Sequence, residues 1–273
     1  MTRTSPGKGP IRVGIGGWTY APWRGTFYPD KWPQKRELEF ASRHLTAIEI
    51  NGTFYSRFKP QSFAGWREAA PEGFVYALKA SRYCTNRKVL AEAGEAIAGF
   101  VEQGIVELGE KLGPILWQFA ATKRFDAEDF AAFLKLLPAS HAGVALRHAV
   151  HVRHESFATP EFIALCRSAR VPIAFGHSDT FPAIADITGD FVYARIENAV
   201  EEEASGHSDA TLDRWAEAAR TWATGGAPAG LPYVCDPLPP HDPRETFMFM
   251  IGGAKVRAPA AAMAIIGRLN AGN

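Results

Sequence analysis

Short apolar runs recur along the chain at intervals long enough to hold a helix. That rhythm constrains the fold more than any single residue. The runs are Ile11–Ile15, Ala47–Ile50, Phe74–Leu78, Ile115–Trp117, Ala149–Val152, Ile173–Phe175, Phe191–Ile196 and Phe247–Ile251. Parallel strands covered on both faces read this way. Helical patterns fill the gaps. Gln34–Arg43 follows Pro33, and Ala91–Leu108 places Ile97, Phe100, Val101 and Ile105 at helical spacing. Asp126–Leu137 opens on an Asp N-cap, Thr159 caps Glu161–Ala169, Ser208–Ala223 carries Leu212, Trp215, Ala219 and Trp222, and Pro259–Leu269 starts with proline. The alternation predicts an α/β fold, a single-domain TIM-type (β/α)8 barrel with irregularities. Residues 11–273 form the barrel, and residues 1–10 are a flexible N-terminal segment. A doubly wound open sheet is the competing architecture. Glu197–Asp209 and Gly225–Pro232 read as loops.

Composition limits what such a barrel does. Of 273 residues, 47% are hydrophobic and 22% charged, with a net charge of +1, so no global imbalance marks a nucleic-acid or membrane binder. A local basic cleft is still open to it. Cys84, Cys166 and Cys235 are scattered, which argues against a disulfide framework or a cysteine zinc site. The N-terminal stretch has no apolar signal-peptide core, and Ala258–Ile266 is too short to span a bilayer. The expected setting is cytoplasmic, with no membrane association.

In a barrel the C-terminal strand ends build the site. Polar residues gather at the ends of the predicted strands: Glu49 with Asn51, Lys79, Gln118, His151 with Arg153, His177 with Asp179, and Tyr193 with Arg195. A spacing of two puts each pair on one strand face. Lysine and arginine in one pocket hold a phosphate, a carboxylate or a developing oxyanion, while a carboxylate there accepts a proton, orients the cations or binds a metal. Glu49, Asp179 and Lys79 are the catalytic candidates. Each also has a structural reading as a strand-end cap, a solvated lysine or half of an ion pair. His177 and Asp179 read as a metal or acid–base pair, although two residues do not specify a metal site.

The segment GGWTYAPWRGTFY at residues 16–28 is rich in aromatics. Packing is the leading reading for most of them, with Trp18 the one that faces ligand. In NGTFY, residues 51–55, an extended chain would place Asn51, Thr53 and Tyr55 on one face, where a base or sugar could stack. The sequence lacks a complete dinucleotide fingerprint, a phosphate-loop signature, a zincin motif and a nucleophile elbow. Neither the His154–Glu155–Ser156 run nor Cys84 reads as nucleophilic machinery.

These segments resemble the YecE-like family, also called domain-of-unknown-function family 72. The resemblance rests on GIGGWTYAPWRGTFYP at residues 14–29, IEINGTFY at 48–55, VYALK at 75–79, LGPILWQF at 112–119, VRHESF at 152–157, Ser178–Asp179, YARI at 193–196 and the FMFMIGGAKVRAPAAA ending. It implies a TIM-type barrel but no established reaction. Carried onto matching positions, it favours Trp18, Glu49, Asn51, Thr53, Tyr55, Lys79, Gln118, Arg153, His154, Asp179, Tyr193 and Arg195 as pocket residues. The sequence departs from the family pattern at three places. Asn86 stands where a histidine is common, His151 where an acidic residue is common, and Ile251–Gly252–Gly253 where the ending is asparagine-rich.

Three functions compete. In the first, the C-terminal face binds and transforms a phosphate- or carboxylate-bearing small molecule, as a hydrolase, lyase or isomerase. Lys79, Arg153 and Arg195 would hold the anion, and Trp18, Asn51, Thr53, Tyr55, Gln118, His154 and Tyr193 would line the pocket. In the second, the barrel binds or processes nucleic acid with a divalent metal, in the manner of endonuclease IV-type architectures. In the third, it is a non-catalytic ligand sensor.

Overall fold

The computed structural model describes residues 7–237, 239 and 242–271, so residues 1–6 of the expected N-terminal segment lie outside the described residues. Eight strands build the main sheet: β1 Ile11–Gly16, β2 Ala47–Ile50, β3 Val75–Lys79, β4 Leu112–Gln118, β5 His148–His151, β6 Phe175–His177, β7 Phe191–Ile196 and β8 Glu245–Met250. Every pairing is parallel, in the order β5-β4-β3-β2-β1-β8-β7-β6. The two ends of that order meet at an isolated bridge between Val150 and Ile173. There the Val150 N–H donates to Pro172 O at 2.9 Å and the Ala174 N–H to Val150 O at 2.8 Å. The ring closes, so the chain is a TIM-type barrel and not an open sheet.

Alternation along the strands sorts the side chains. Ala47, Ala77, Ala149 and Ala174 face Phe191, Tyr193, Phe247 and Phe249 in an apolar cluster distinct from the outer core. Small residues on one wall make room for aromatics from β7 and β8, so the lumen is filled rather than hollow. At the N-terminal end Glu245 pairs with Arg12 at 3.0 Å and Arg147 at 2.5 Å. Arg147 also covers the rings of Phe191 and Phe247 at 5.5 and 5.3 Å. These contacts plug the lumen at this end.

The helices are α1 Glu37–His44, α2 Gly52–Tyr55, α3 Pro60–Ala69, α4 Arg82–Thr85, α5 Gly94–Val101, α6 Ala127–Leu136, α7 Pro160–Ala169, α8 Asp209–Ala223 and α9 Ala258–Ala271. The expected caps form: Asp126, Thr159 and Ser208 accept from the backbone N–H groups of Asp129, Phe162 and Thr211. The long helix expected over Ala91–Leu108 is broken. Its α part ends at Val101, and Gly104 adopts φ +106 before a 3-10 segment, Ile105–Lys111. A Cβ on Gly104 would lie 2.7 Å from the Pro60 backbone, so this crossing with α3 admits only glycine. Helix α3 was not apparent from sequence periodicity, although Pro60 at its first turn marks it. Residues 178–190, between β6 and β7, contain no helix, which is the main irregularity of the barrel.

Gly14 on β1 tests how closely the strands approach. A Cβ there would sit 1.8 Å from the Ala47 carbonyl oxygen, an atom of the neighbouring strand that cannot swing away. Gly14→Ala is expected to cost about 3 kcal/mol in urea unfolding, because the two strands must separate. A variant as stable as the parent would refute the tight approach.

Candidate functional site

The C-terminal mouth is built by alternate residues of four strands. Glu49 ends the inward face of β2, Lys79 that of β3, Gln118 that of β4, and Tyr193 and Arg195 lie on β7, all buried. At the centre Arg195 grips Glu49, with Nε 3.1 Å from Oε2 and Nη2 3.3 Å from Oε1. The Tyr193 hydroxyl donates to the same Oε2 at 2.7 Å. The other guanidinium nitrogen, Nη1, reaches Glu197 Oε1 at 2.6 Å, Gln118 Oε1 at 3.4 Å and His151 Nδ1 at 3.3 Å. A guanidinium only donates, so His151 Nδ1 is the acceptor and its proton sits on Nε2.

The electrostatics follow from this geometry. Burial alone would raise the Glu49 pKa. The charges of Arg195 and Lys79 and the Tyr193 hydrogen bond outweigh it and hold the carboxyl below its ordinary range. Burial and the nearby Arg195, Arg153 and Lys79 charges keep His151 neutral, with its pKa well below the ordinary value. Burial and Glu49 push the Tyr193 phenol well above its usual pKa, so it stays a donor. Gly176 on β6 leaves room for the His151 ring, since a Cβ there would lie 2.9 Å from Nε2.

Lys79 differs from its neighbours. It is 7% exposed, and among the described residues its ammonium has no carboxylate within ion-pair distance. Its contact is the face of the Phe54 ring, 4.1 Å away. Burial, reinforced by Arg195, pushes its pKa down to about 8 against the opposing pull of Glu49. Arg153 is similarly underused. It lies 3.7 Å from Glu197, stacks on Phe181 at 4.3 Å, and keeps a buried Nε without a partner.

The other expected site residues divide. Asn51, Thr53 and Tyr55 do not share a strand face, because the chain turns at Asn51 into the single helical turn α2. Thr53 instead ties strand ends, its hydroxyl 2.7 Å from Lys79 O and 3.0 Å from Ile50 O. Asn51 stays close to its own strand, its amide 3.4 Å from Glu49 O, and Tyr55 is exposed. Trp18 packs edge-on against Trp66 at 5.4 Å, while Trp23, Phe27 and Tyr28 are buried as the packing reading expected. His154 caps the turn Glu155–Phe157 and bonds Ser156 Oγ at 2.9 Å.

His177 and Asp179 do not form a pair at the mouth. His177 lies on the outer face of β6 against Trp215 of α8, with ring centroids 4.9 Å apart. Asp179 is exposed and accepts from Asn198 Nδ2 at 2.8 Å. Strand β6 runs through Phe175 and Gly176, so a spacing of two from Phe175 directs His177 outward.

Sequence reasoning placed Glu197 in a loop, yet it is the second carboxylate of the cluster. Continuing the period of two through Tyr193 and Arg195 would have found it. The Gly252–Gly253 pair seats the loop after β8 against it. A Cβ on Gly252 would lie 3.2 Å from Glu197, and one on Gly253 would lie 2.3 Å from Ala199 O.

Among the described residues no group of three or more His, Cys, Asp or Glu side chains is arranged to hold a metal ion. Both Glu49 oxygens are engaged by Arg195, and three cations surround the site. This donor set does not fit a divalent cation, and Glu49, His177 and Asp179 do not converge as ligands.

Glu49→Gln is expected to destabilise the protein by about 3–5 kcal/mol, because Arg195 keeps its burial and loses its main counter-charge. The sign with pH is also set. A depressed carboxylate pKa contributes stability above the unfolded value, which is lost as pH falls below about 4. Acid unfolding of Glu49→Gln should lack that component, and equal acid sensitivity in both proteins would refute the assignment.

No curated protein matches the sequence. Solved structures show the same fold. A DUF72 family protein from Thermotoga maritima aligns with a TM-score of 0.71 at 19% identity, covering 96% of this chain and 99% of its own. One from Enterococcus faecalis aligns with a TM-score of 0.67 at 16% identity, covering 96% and 98%. The structure of SacUVDE aligns more distantly, with a TM-score of 0.55 at 11% identity, covering 95% and 99%. The family described as "Protein of unknown function DUF72" matches residues 12–273, and the chain belongs to that family.

Proposed function

We propose that the C-terminal mouth binds an anionic small molecule through a phosphate or carboxylate group, with Lys79 and Arg153 as its direct partners. The observation that carries this is the Lys79 ammonium, on a side chain only 7% exposed, which meets an aromatic face where a counter-ion would be expected. Leaving a largely buried cation without a charge partner is costly, and a ligand anion supplies the missing partner. Charge counting supports the same reading. Lys79, Arg153 and Arg195 face Glu49 and Glu197, and His151 is neutral where the family resemblance led us to expect a carboxylate. The cluster keeps an excess positive charge that an acidic residue at position 151 would cancel.

In this reading Glu49, Tyr193 and Gln118 are positioning residues that hold Arg195 beneath the ligand. Glu49 is too strongly held as a carboxylate to trade protons near neutrality. Lys79 is the group suited to proton exchange, because burial brings its pKa to about 8.

Sulfate tests the reading, because its charge is constant across neutral and mildly alkaline pH. Calorimetric titration should show binding that weakens about tenfold between pH 7 and pH 9, as Lys79 loses its proton through about 8. Glu49 stays ionised and His151 neutral over that range, and Arg153 and Arg195 stay charged, so the loss belongs to Lys79. Lys79→Met should bind at least tenfold more weakly, with no pH dependence, matching a lost charge-assisted hydrogen bond of about 1.5–3 kcal/mol. Equal sulfate affinity in the parent and Lys79→Met would reject the proposal.

A further inference from the structure

Two cavities adjoin the mouth on the side of β3 and β4, and they differ in chemistry. The first, about 370 Å³, includes Tyr55, Arg57, Tyr83 and Arg87 in its lining, with Glu92 and Glu95 balancing the arginines. Its two tyrosines are each 63% exposed, an unusual setting for large aromatic rings. The second, about 550 Å³, is lined by Arg87, Lys88, Lys123 and Arg124 together with Thr85, Asn86, Ala120 and Thr122, and its lining contains no acid. Arg87 borders both, and its Nε is buried without a partner.

The loops that carry these residues are tied together and to the barrel. The Lys123 ammonium donates to Lys88 O and pairs with Asp129, each at 2.8 Å. Thr53, beside the first cavity, bonds the Lys79 carbonyl, and Thr85, beside the second, bonds the Gln118 carbonyl at 2.6 Å. The near-neutral total charge therefore conceals segregation. Residues 82–88 hold Arg82, Arg87 and Lys88 with no acid, while Glu201, Glu202 and Glu203 sit together elsewhere.

We propose that this face binds single-stranded nucleic acid, with Arg87, Lys88 and Arg124 of the basic trough taking successive phosphates and Tyr55 and Tyr83 stacking on unpaired bases, while Lys123 pairs with Asp129. A charged trough beside exposed aromatic rings is the arrangement that sequence-tolerant single-strand binding requires. A duplex keeps its bases stacked inside and presents none to the tyrosines. The surface uses residues other than Lys79 and Arg153, so it stands independently of the small-anion reading of the mouth.

The test is fluorescence anisotropy with a labelled oligothymidylate of about twelve nucleotides. Binding should be measurable at low salt, with a log–log salt slope of about −2 for three phosphate contacts. The exposed pair Lys88→Glu and Arg124→Glu should weaken binding at least tenfold and reduce the slope by more than half, with an unchanged melting temperature. Tyr83→Ala should weaken binding at least about fivefold without changing the slope, because it removes stacking and no charge. Lys79→Met should bind the oligonucleotide within about threefold of the parent. The proposal is overturned by any of four results: no binding at low salt, no effect of the charge reversals, a duplex bound as tightly as the single strand, or a mononucleotide that competes as well as the oligomer. Loss of binding in Lys79→Met with none in the charge-reversal variant would also overturn it, placing the oligonucleotide at the mouth.

Discussion

The ion pair between Glu49 and Arg195 organises the C-terminal half of the barrel. Neither partner has useful access to solvent, with side-chain exposures of 0% and 3%. Such a pair does little for net stability, because desolvation cancels most of its attraction. What it does is compel order. Each group must keep its remaining hydrogen-bonding capacity occupied, and those partners come from four other positions. Tyr193 completes Glu49, while Gln118, His151 and Glu197 complete Arg195. Strands β2, β4, β5 and β7 are thereby brought to one level. The apolar lumen below, with alanines against phenylalanines, has no such directional requirement.

The two ends of the barrel use the same chemistry to opposite effect. At the N-terminal end Glu245 is shared by Arg12 and Arg147, and the arginine charge also rests on aromatic faces. There one carboxylate holds two arginines and the rings cover the remaining charge, which closes this end. At the C-terminal end positive charge exceeds negative, and the surplus resides on Lys79 and Arg153, which rest on Phe54 and Phe181. A ring face partly compensates a cation without consuming its hydrogen-bond donors. The surplus is therefore available to a ligand.

The departures from the family pattern gain physical content in this setting. His151 accepts from Arg195 as a carboxylate would, but contributes no charge. The Gly252–Gly253 pair allows the last loop to approach Glu197 and Ala199 closely enough for the Ala254 N–H to donate to Ala199 O at 2.7 Å. Asn86 lies in the second cavity beside Arg87 and Lys88. Each departure lies at the mouth or beside it, with Ile251 packed against the lumen cluster below.

Periodicity and punctuation are local properties, and what depends on them was legible in the sequence. The eight strands, the caps at Asp126, Thr159 and Ser208, and the inward polar ends of β2, β3, β4 and β7 all follow from spacing and residue type. Where sequence reasoning failed, local pattern was overridden by a crossing, a turn or a shift of strand phase. Gly104 breaks a helix because Pro60 crosses it, Asn51 ends a strand by turning into α2, and His177 faces α8 because β6 is entered one residue out of the assumed phase. Sequence alone determined that polar groups would gather at one end of a barrel, since hydrophobic period and strand direction are written in the chain. Only the tertiary structure decided which charges cancel. The partnering of Arg195 with Glu49 and Glu197, and the isolation of Lys79 above Phe54, depend on distances between strands that no local pattern encodes.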